Sequence, residues 1–204
     1  MTRFAAIGLR SLFWILSLLI AAISLRFLIA PMAEVMDHMV HYLPAVPLPL
    51  FAHILGAPLA LALAPFQLWQ GLRKSRPRLH RRAGYTYVTA VVIAGAGSLL
   101  MLPHFLGSAS AAAGFLIMAV LWIGLTLRGV FLARAGDYAA HRRFMLRSVA
   151  VTFGAVTLRL IMPPLIAQGW SVVETYQITA WASWLPNLIA VEIYLRAKSK
   201  RAPL

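Results

Sequence analysis

The sequence predicts an all-α integral membrane protein, a six-helix bundle with both termini in the cytoplasm. The first observation behind this prediction is composition: 61% of the 204 residues are hydrophobic, 12% are charged, and the mean hydropathy is +0.80. Soluble domains have about 45–50% apolar residues. The second observation is that the apolar residues form long runs, and the third is that basic residues separate alternate runs. An ordinary soluble enzyme is excluded.

Six apolar runs are long enough to cross a bilayer, whose hydrocarbon core requires about 20 residues of helix. The first run is too long for a removable signal peptide, and five more follow it, so we interpret it as a helix. The connections between the runs are too short to contain a soluble domain. The sequence therefore predicts one transmembrane domain over residues 1–204. The predicted spans are 8–30, 50–72, 84–106, 112–133, 144–166 and 178–195.

The basic residues set the predicted orientation. There are 19 Lys and Arg residues against 5 Asp and Glu, a net charge of +14. With the amino terminus in the cytoplasm, every Lys and Arg residue except Arg26 and Arg159 lies on the cytoplasmic side, as the positive-inside rule requires. The charge is therefore a topology signal that also attracts anionic lipid headgroups. Membrane lipids are predicted partners and nucleic acid is not.

Two cytoplasmic connections end in the same tripeptide. His-Arg-Arg occurs at 80–82, before the third span, and again at 141–143, before the fifth. The repetition indicates that spans two and three and spans four and five are related hairpins. It places His80 and His141 at equivalent depth near the cytoplasmic surface.

The same part of the chain carries a family resemblance. Its motifs are Phe51–Gly56, Ala64–Gln67, Leu79–Tyr87, His141–Arg147, Ala155–Arg159 and Trp181–Asn187 with Glu192. Over residues 50–195 the sequence resembles the bacterial membrane family catalogued as domain of unknown function 2306. The resemblance implies a multi-helix bundle of uncharacterised activity, and with the topology it indicates a multi-pass protein of the bacterial cytoplasmic (inner) membrane.

Histidines are the main candidates for chemistry, because the chain has no cysteine. His53 and His104 begin and end adjacent spans near the outer surface, whereas His80 and His141 lie near the inner one. Imidazoles on facing helices bind haem iron axially or carry protons, so these four are candidate ligands of haem b or a quinone. His80 and His104 are separated by about 36 Å of helix, so both cannot be deep ligands. Interfacial structural roles or lipid contacts remain the alternative.

Ionisable residues inside a span cost about 2.5–3.5 kcal/mol each on insertion scales. Arg159 lies in the fifth span, five helical turns after His141 and on the same predicted face. It is a candidate anchor for a haem propionate, a quinone oxygen or another anionic group, or alternatively a hydrogen-bond donor to carbonyls exposed by proline kinks. Glu192 is predicted to pair with Arg128, Arg147 or a histidine.

The first outer loop contains a short cluster of methionines and histidines at 36–41. Thioethers and imidazoles suit copper, and His38 and His41 would share one side of a helical loop, so both are candidate metal ligands. An amphipathic helix on the outer surface would explain the same residues.

These patterns favour a small membrane redox component that binds haem b or a quinone in the bundle. The alternative is a non-enzymatic transporter or a module that binds lipid or an anionic solute, with Arg26 and Arg159 selecting the ligand. A homo-oligomer is compatible with either function. The sequence contains no phosphate-binding glycine loop, nucleophile elbow or His-Glu-x-x-His helix.

Overall fold

The computed structural model describes residues 3–199, and these residues form helices without any strand. The all-α class is therefore confirmed. Lys200 and Arg201, two of the basic residues predicted to lie on the cytoplasmic side, are outside the described residues. The helices are α1 Arg3–Ser24, α2 Met32–Val35, α3 Pro47–Leu68, α4 Gln70–Ser75, α5 Pro77–Met101, α6 Ala109–Arg134, α7 Tyr138–Thr152, α8 Gly154–Ala167, α9 Val172–Ala182 and α10 Leu185–Ser199.

Within residues 3–199, five helical segments are long and apolar enough to cross a membrane. They correspond to the first five predicted spans. The sixth predicted span, 178–195, is divided between α9 and α10, which have 11 and 15 residues. The sixth crossing and the cytoplasmic placement of both termini therefore stay predictions. The five segments are Ile7–Leu28, Pro47–Leu68, Pro77–His104, Ala109–Arg134 and Tyr138–Ala167.

A proline explains the division between α9 and α10. Pro186 is the second residue of α10, and it has no N–H to donate to the carbonyl of Ala182, the last residue of α9. The chain turns at Ser183 and Trp184 and then resumes as a helix.

The third and fifth predicted spans begin several residues earlier in the structure than in the prediction. Helix α5 begins at Pro77, a residue whose missing N–H and restricted φ suit the first helical position. Helix α7 begins after Asp137, whose carboxylate accepts a hydrogen bond from Ala140 N at 2.8 Å. Both His-Arg-Arg sequences therefore lie inside helices, since these start signals come before the apolar runs.

The chain divides between Met101 and Leu102 into two compact units. In the first unit α3 and α5 form an antiparallel hairpin, and α1 packs against α3. In the second unit α6 and α7 form an antiparallel hairpin, α9 packs against α6 and α8, and α10 packs against α7. The single transmembrane domain stays a prediction.

Small residues bring α3 and α5 into close contact. A Cβ atom on Gly56 would lie 3.0 Å from the Ala90 carbonyl oxygen, and one on Gly97 would lie 2.5 Å from the Pro49 carbonyl oxygen. Ala60 is completely buried on the same helix. Main chain therefore packs against main chain, as is typical of membrane helices with small interfacial residues.

Buried polar side chains join α6 to α7. Trp122 Nε1 donates to Thr152 Oγ1 at 2.8 Å, and the Thr126 and Ser148 hydroxyls are hydrogen-bonded at 2.6 Å. All four side chains are buried, and buried polar groups must be paired to avoid the cost of desolvation. These hydroxyls therefore hold the two helices together.

The two hairpins repeat one another in detail, which supports the prediction that they are related. His80 and His141 are 61 residues apart, and so are Pro77 and Tyr138, which begin α5 and α7. The same offset joins pairs of buried residues, so the burial pattern recurs with the sequence motif. These pairs are Leu61 with Trp122, Tyr87 with Ser148 and Val91 with Thr152.

A capping box begins α9. Ser171 Oγ accepts a hydrogen bond from Glu174 N at 3.2 Å, and Glu174 Oε2 accepts from Ser171 N at 2.7 Å and from Ser171 Oγ at 2.8 Å. The hydrogen bonds from the Ser171 backbone and hydroxyl lower the pKa of Glu174 below its ordinary value of 4.5. The ionised carboxylate therefore stabilises this helix end.

We expect the start of α9 to loosen in acid. Because the pKa of Glu174 is lower in the folded state, its contribution to stability is complete above pH 4.5 and is lost as pH falls through the folded value. Amide hydrogen exchange at Glu174 and Thr175, corrected for the intrinsic pH dependence, should rise, and Glu174→Gln should remove this response. The start of α6, capped by Ser108 without a carboxylate, is the control; an equal response there would contradict the prediction.

Candidate functional site

His53 is held at the contact between α3 and α5. Its side chain is half-buried, and its Nδ1 lies 3.1 Å from the carbonyl oxygen of Ala94 on α5. A carbonyl only accepts, so Nδ1 carries the proton and Nε2 carries the lone pair in the neutral ring. The close approach at Gly97, where a Cβ would lie 3.0 Å from His53 N, makes this contact possible.

His141 is held in the same way between α7 and α6. Its half-buried ring places Nδ1 2.8 Å from the carbonyl oxygen of Gly129. A Cβ on Gly129 would lie 2.7 Å from the sulfur of Met145, so the glycine lets α7 lie close to α6. The Nδ1 proton is again donated to a carbonyl, and Nε2 again carries the lone pair.

Such a hydrogen bond is the support that metal-ligating histidines commonly have. Donation from one ring nitrogen to a carbonyl fixes the ring and its tautomer and increases the basicity of the other nitrogen. His53 and His141 thus share an arrangement suited to a ligand on Nε2. The sequence carried no signal for the acceptors, which are main-chain oxygens of Ala94 and Gly129.

The first unit does not bring its two candidate histidines together. His80 is half-buried near the start of α5. The partner of His53 on this helix is Ala94, fourteen residues further along, a separation of about 21 Å. His53 and His80 therefore lie at different depths.

The second unit separates its candidate histidines too. His104 is exposed at the end of the 3-10 helix Leu102–His104, just before α6 begins. His141 contacts Gly129, twenty residues into α6, so the two lie about 30 Å apart along the helix. The pairing of His53 with His104, and of His80 with His141, stays a prediction.

Arg26 has a structural role. It donates from Nε to the Val35 carbonyl at 2.8 Å and from Nη2 to the same oxygen, and from Nη1 to the Ile23 carbonyl at 3.3 Å. The guanidinium thus fastens the segment after α1 to the end of α2. A ligand-selecting role for Arg26 would have to compete with these bonds.

Arg159 is half-buried on α8 and donates from Nη1 to the Ala155 carbonyl at 3.0 Å. The alignment predicted between Arg159 and His141 assumed one continuous helix. The chain turns at Phe153 between α7 and α8, where Gly154, a weak helix former, follows. The role of Arg159 as an anion anchor stays a prediction.

Glu192 pairs with Arg147, one of its predicted partners. Arg147 Nη2 donates to Glu192 Oε2 at 3.0 Å, and Arg147 Nε donates to Glu192 Oε1. The Arg147 guanidinium also lies over the Phe144 ring, 5.3 Å from its centre. This two-point ion pair is a side-chain connection between α7 and α10, and planar carboxylate recognition of this kind is specific to arginine.

The methionines of the outer loop belong to a hydrophobic core. Residues 37–42 form a 3-10 helix, in which side chains three residues apart align. Met36, Met39 and Tyr42 follow this spacing and pack with Leu50 and Met101. Burial raises the pKa of the Tyr42 phenol.

The loop histidines lie beside this core. His38 Nδ1 is 3.5 Å from the carboxylate of Asp37, and the His41 ring lies 3.9 Å from the Tyr42 ring, centre to centre. His41 Nε2 is buried without a hydrogen-bond partner in the described part of the chain. Residues 3–199 contain no group of three or more His, Cys, Asp or Glu side chains that could hold a metal. Metal binding by His38 and His41 therefore stays a prediction.

The long apolar helices, their small-residue contacts and their internally paired polar groups define a multi-pass integral membrane protein. The chain belongs to the family DUF2306, described as a predicted membrane protein, whose model matches residues 50–195. The resemblance found from the sequence motifs is confirmed. No curated protein and no solved structure matches the chain. The matched region contains His53 and His141, whereas the loop histidines precede it.

Proposed function

We propose that this protein is a small redox component of a bacterial cytoplasmic membrane that binds haem b or a quinone through Nε2 of His53 and His141. The observation that carries the proposal is that each imidazole donates Nδ1–H to a carbonyl of the facing helix. This bond fixes the ring and its tautomer and increases the basicity of Nε2, the nitrogen that would ligate an iron atom or accept a hydrogen bond from a quinol O–H.

Each of the two imidazoles lies near the start of its helix. His53 lies in the second turn of α3, and His141 lies in the first turn of α7. In the predicted orientation these turns are near the outer and the inner surface, respectively. A quinone bound at either imidazole would carry protons as well as electrons.

The test separates the nitrogen that binds from the nitrogen that holds the ring. In His53→Asn or His141→Asn the amide N–H can still reach the carbonyl, but Nε2 is lost. We expect protein purified from haem-replete cells to show a Soret band or to release a quinone on solvent extraction. Each Asn variant should lose its share of the bound group while keeping the unfolding midpoint of the wild type.

His53→Ala and His141→Ala are the matched comparison, because they remove both ring nitrogens. They should lose the bound group and also unfold at lower temperature. A Soret band identifies haem, and quinone in the extract of colourless protein identifies a quinone. Protein that carries neither group, or Asn variants that bind as the wild type does, would overturn the proposal.

The alternative, a transporter or a module that binds lipid or an anionic solute through Arg26 and Arg159, stays a prediction. In the structure both guanidinium groups donate to main-chain carbonyls, so a ligand would have to share these donors.

A further inference from the structure

A groove runs along α10 in the second unit. It has a volume of about 310 Å³ and is lined by Leu185, Leu188, Ile189, Glu192, Ile193 and Arg196. The apolar lining is open to the surroundings, with Ile189 50% exposed and Ile193 63% exposed. An apolar, open groove on a membrane protein is suited to a hydrocarbon chain.

The charged end of this groove is cationic. Both carboxylate oxygens of Glu192 are bonded to Arg147, so its negative charge is compensated. Arg196 and Lys198 follow in the last turn of α10, and both are exposed. The net positive charge at this end of α10 therefore favours a negatively charged group beside Arg196.

The order of these chemical features along α10 matches the order along a phospholipid. The groove extends from Leu185 to Arg196, which is about 17 Å of helix. Apolar side chains occupy most of this length, and a guanidinium, whose fork of donors suits two phosphate oxygens, lies at its end. A zwitterionic headgroup would bring its own cation to an already cationic site.

We propose that this groove binds an anionic phospholipid, with one acyl chain along the leucines and isoleucines and its phosphate on Arg196. Each basic residue near an anionic lipid surface contributes about 1 kcal/mol. Loss of the Arg196 charge should therefore weaken binding about fivefold. The proposal does not depend on the redox function.

The experiment measures lipid binding to the full chain in detergent by native mass spectrometry. Phosphatidylglycerol and phosphatidylcholine are compared in wild type and in Arg196→Gln, Ile189→Trp and Arg134→Gln. Ile189→Trp fills the groove without changing charge. Arg134→Gln is the matched control, since Arg134 is an exposed arginine in the last turn of α6. We expect the wild type to bind one phosphatidylglycerol in preference to phosphatidylcholine. Arg196→Gln and Ile189→Trp should lose this preference, and Arg134→Gln should keep it.

Other outcomes overturn the proposal. If Arg134→Gln and Arg196→Gln lose phosphatidylglycerol binding equally, the lipid is attracted by positive charge in general and not by the groove. If Ile189→Trp and Ile193→Trp, folded by circular dichroism, both bind as the wild type does, the acyl chain is not in the groove. If millimolar inorganic phosphate displaces the lipid completely and Ile189→Trp has no effect, the site recognises free phosphate.

Discussion

Replacing Gly97 by alanine is expected to force α3 and α5 apart and to destabilise the protein by about 1–3 kcal/mol. The new Cβ would lie 2.5 Å from the Pro49 carbonyl oxygen and 3.0 Å from His53 N, both main-chain atoms that cannot rotate away. Alanine gains about 1 kcal/mol over glycine in helix propensity, which is too small to cancel the cost of these steric contacts. Unfolding by SDS in mixed micelles measures the loss.

The matched control is Gly124→Ala, because a Cβ on Gly124 would meet no atom within 4 Å in the described structure. It should be neutral or stabilising. Gly97→Ala should also displace His53 from the Ala94 carbonyl. If the proposed function holds, binding at His53 would then be lost while binding at His141 would be kept. Equal stability of the two alanine variants would show that the α3–α5 contact is not as close as the structure has it.

The second large effect is expected on breaking the ion pair between Arg147 and Glu192. Glu192→Gln leaves a guanidinium that is only 22% exposed without its charged partner. The cost lies between that of an exposed and that of a buried pair, about 1–3 kcal/mol. SDS unfolding measures it, and crosslinking between α7 and α10 shows whether α10 has separated.

A double-mutant cycle tests whether this loss belongs to the pair. Arg147→Gln with Glu192→Gln should cost less than the two single changes added together, and exchanging the residues should recover part of the stability. Glu34→Gln, a change at an exposed carboxylate, should have little effect. Strict additivity of the single changes would contradict the coupling.

Helix existence could be predicted from the sequence, whereas helix boundaries were predicted less well. Long apolar runs have few ways to satisfy their backbone in a membrane other than as helices. The starts of α5 and α7 were placed too late because the prediction followed hydrophobicity. Pro77, the first residue of α5, and Asp137, the residue that caps the start of α7, lie outside the apolar runs. The helix break at Pro186 is a local effect. It divides residues 178–195, which their hydrophobicity alone predicts to be one continuous span.

The candidate site shows the same limit. His53, His141 and Glu192 could be singled out because ionisable residues are rare in such a chain. Their partners could not all be predicted, since two of them are carbonyl oxygens, which every residue has. Only the close approach at Gly97 and Gly129 places Ala94 and Gly129 carbonyls within reach of the rings.

The sequence by itself determined the all-α membrane class and the first five of the six predicted spans, because hydrophobicity and charge are properties of the chain. The relation between the two His-Arg-Arg hairpins stays a prediction from the repeated motif. The tertiary structure alone decided which nitrogen of His53 and His141 is held and that Arg26 donates to the carbonyls of Val35 and Ile23. It also selected Arg147 from the predicted partners of Glu192. Hydrogen bonds depend on distances of a few tenths of an ångström between helices, and those distances follow from packing rather than from residue type.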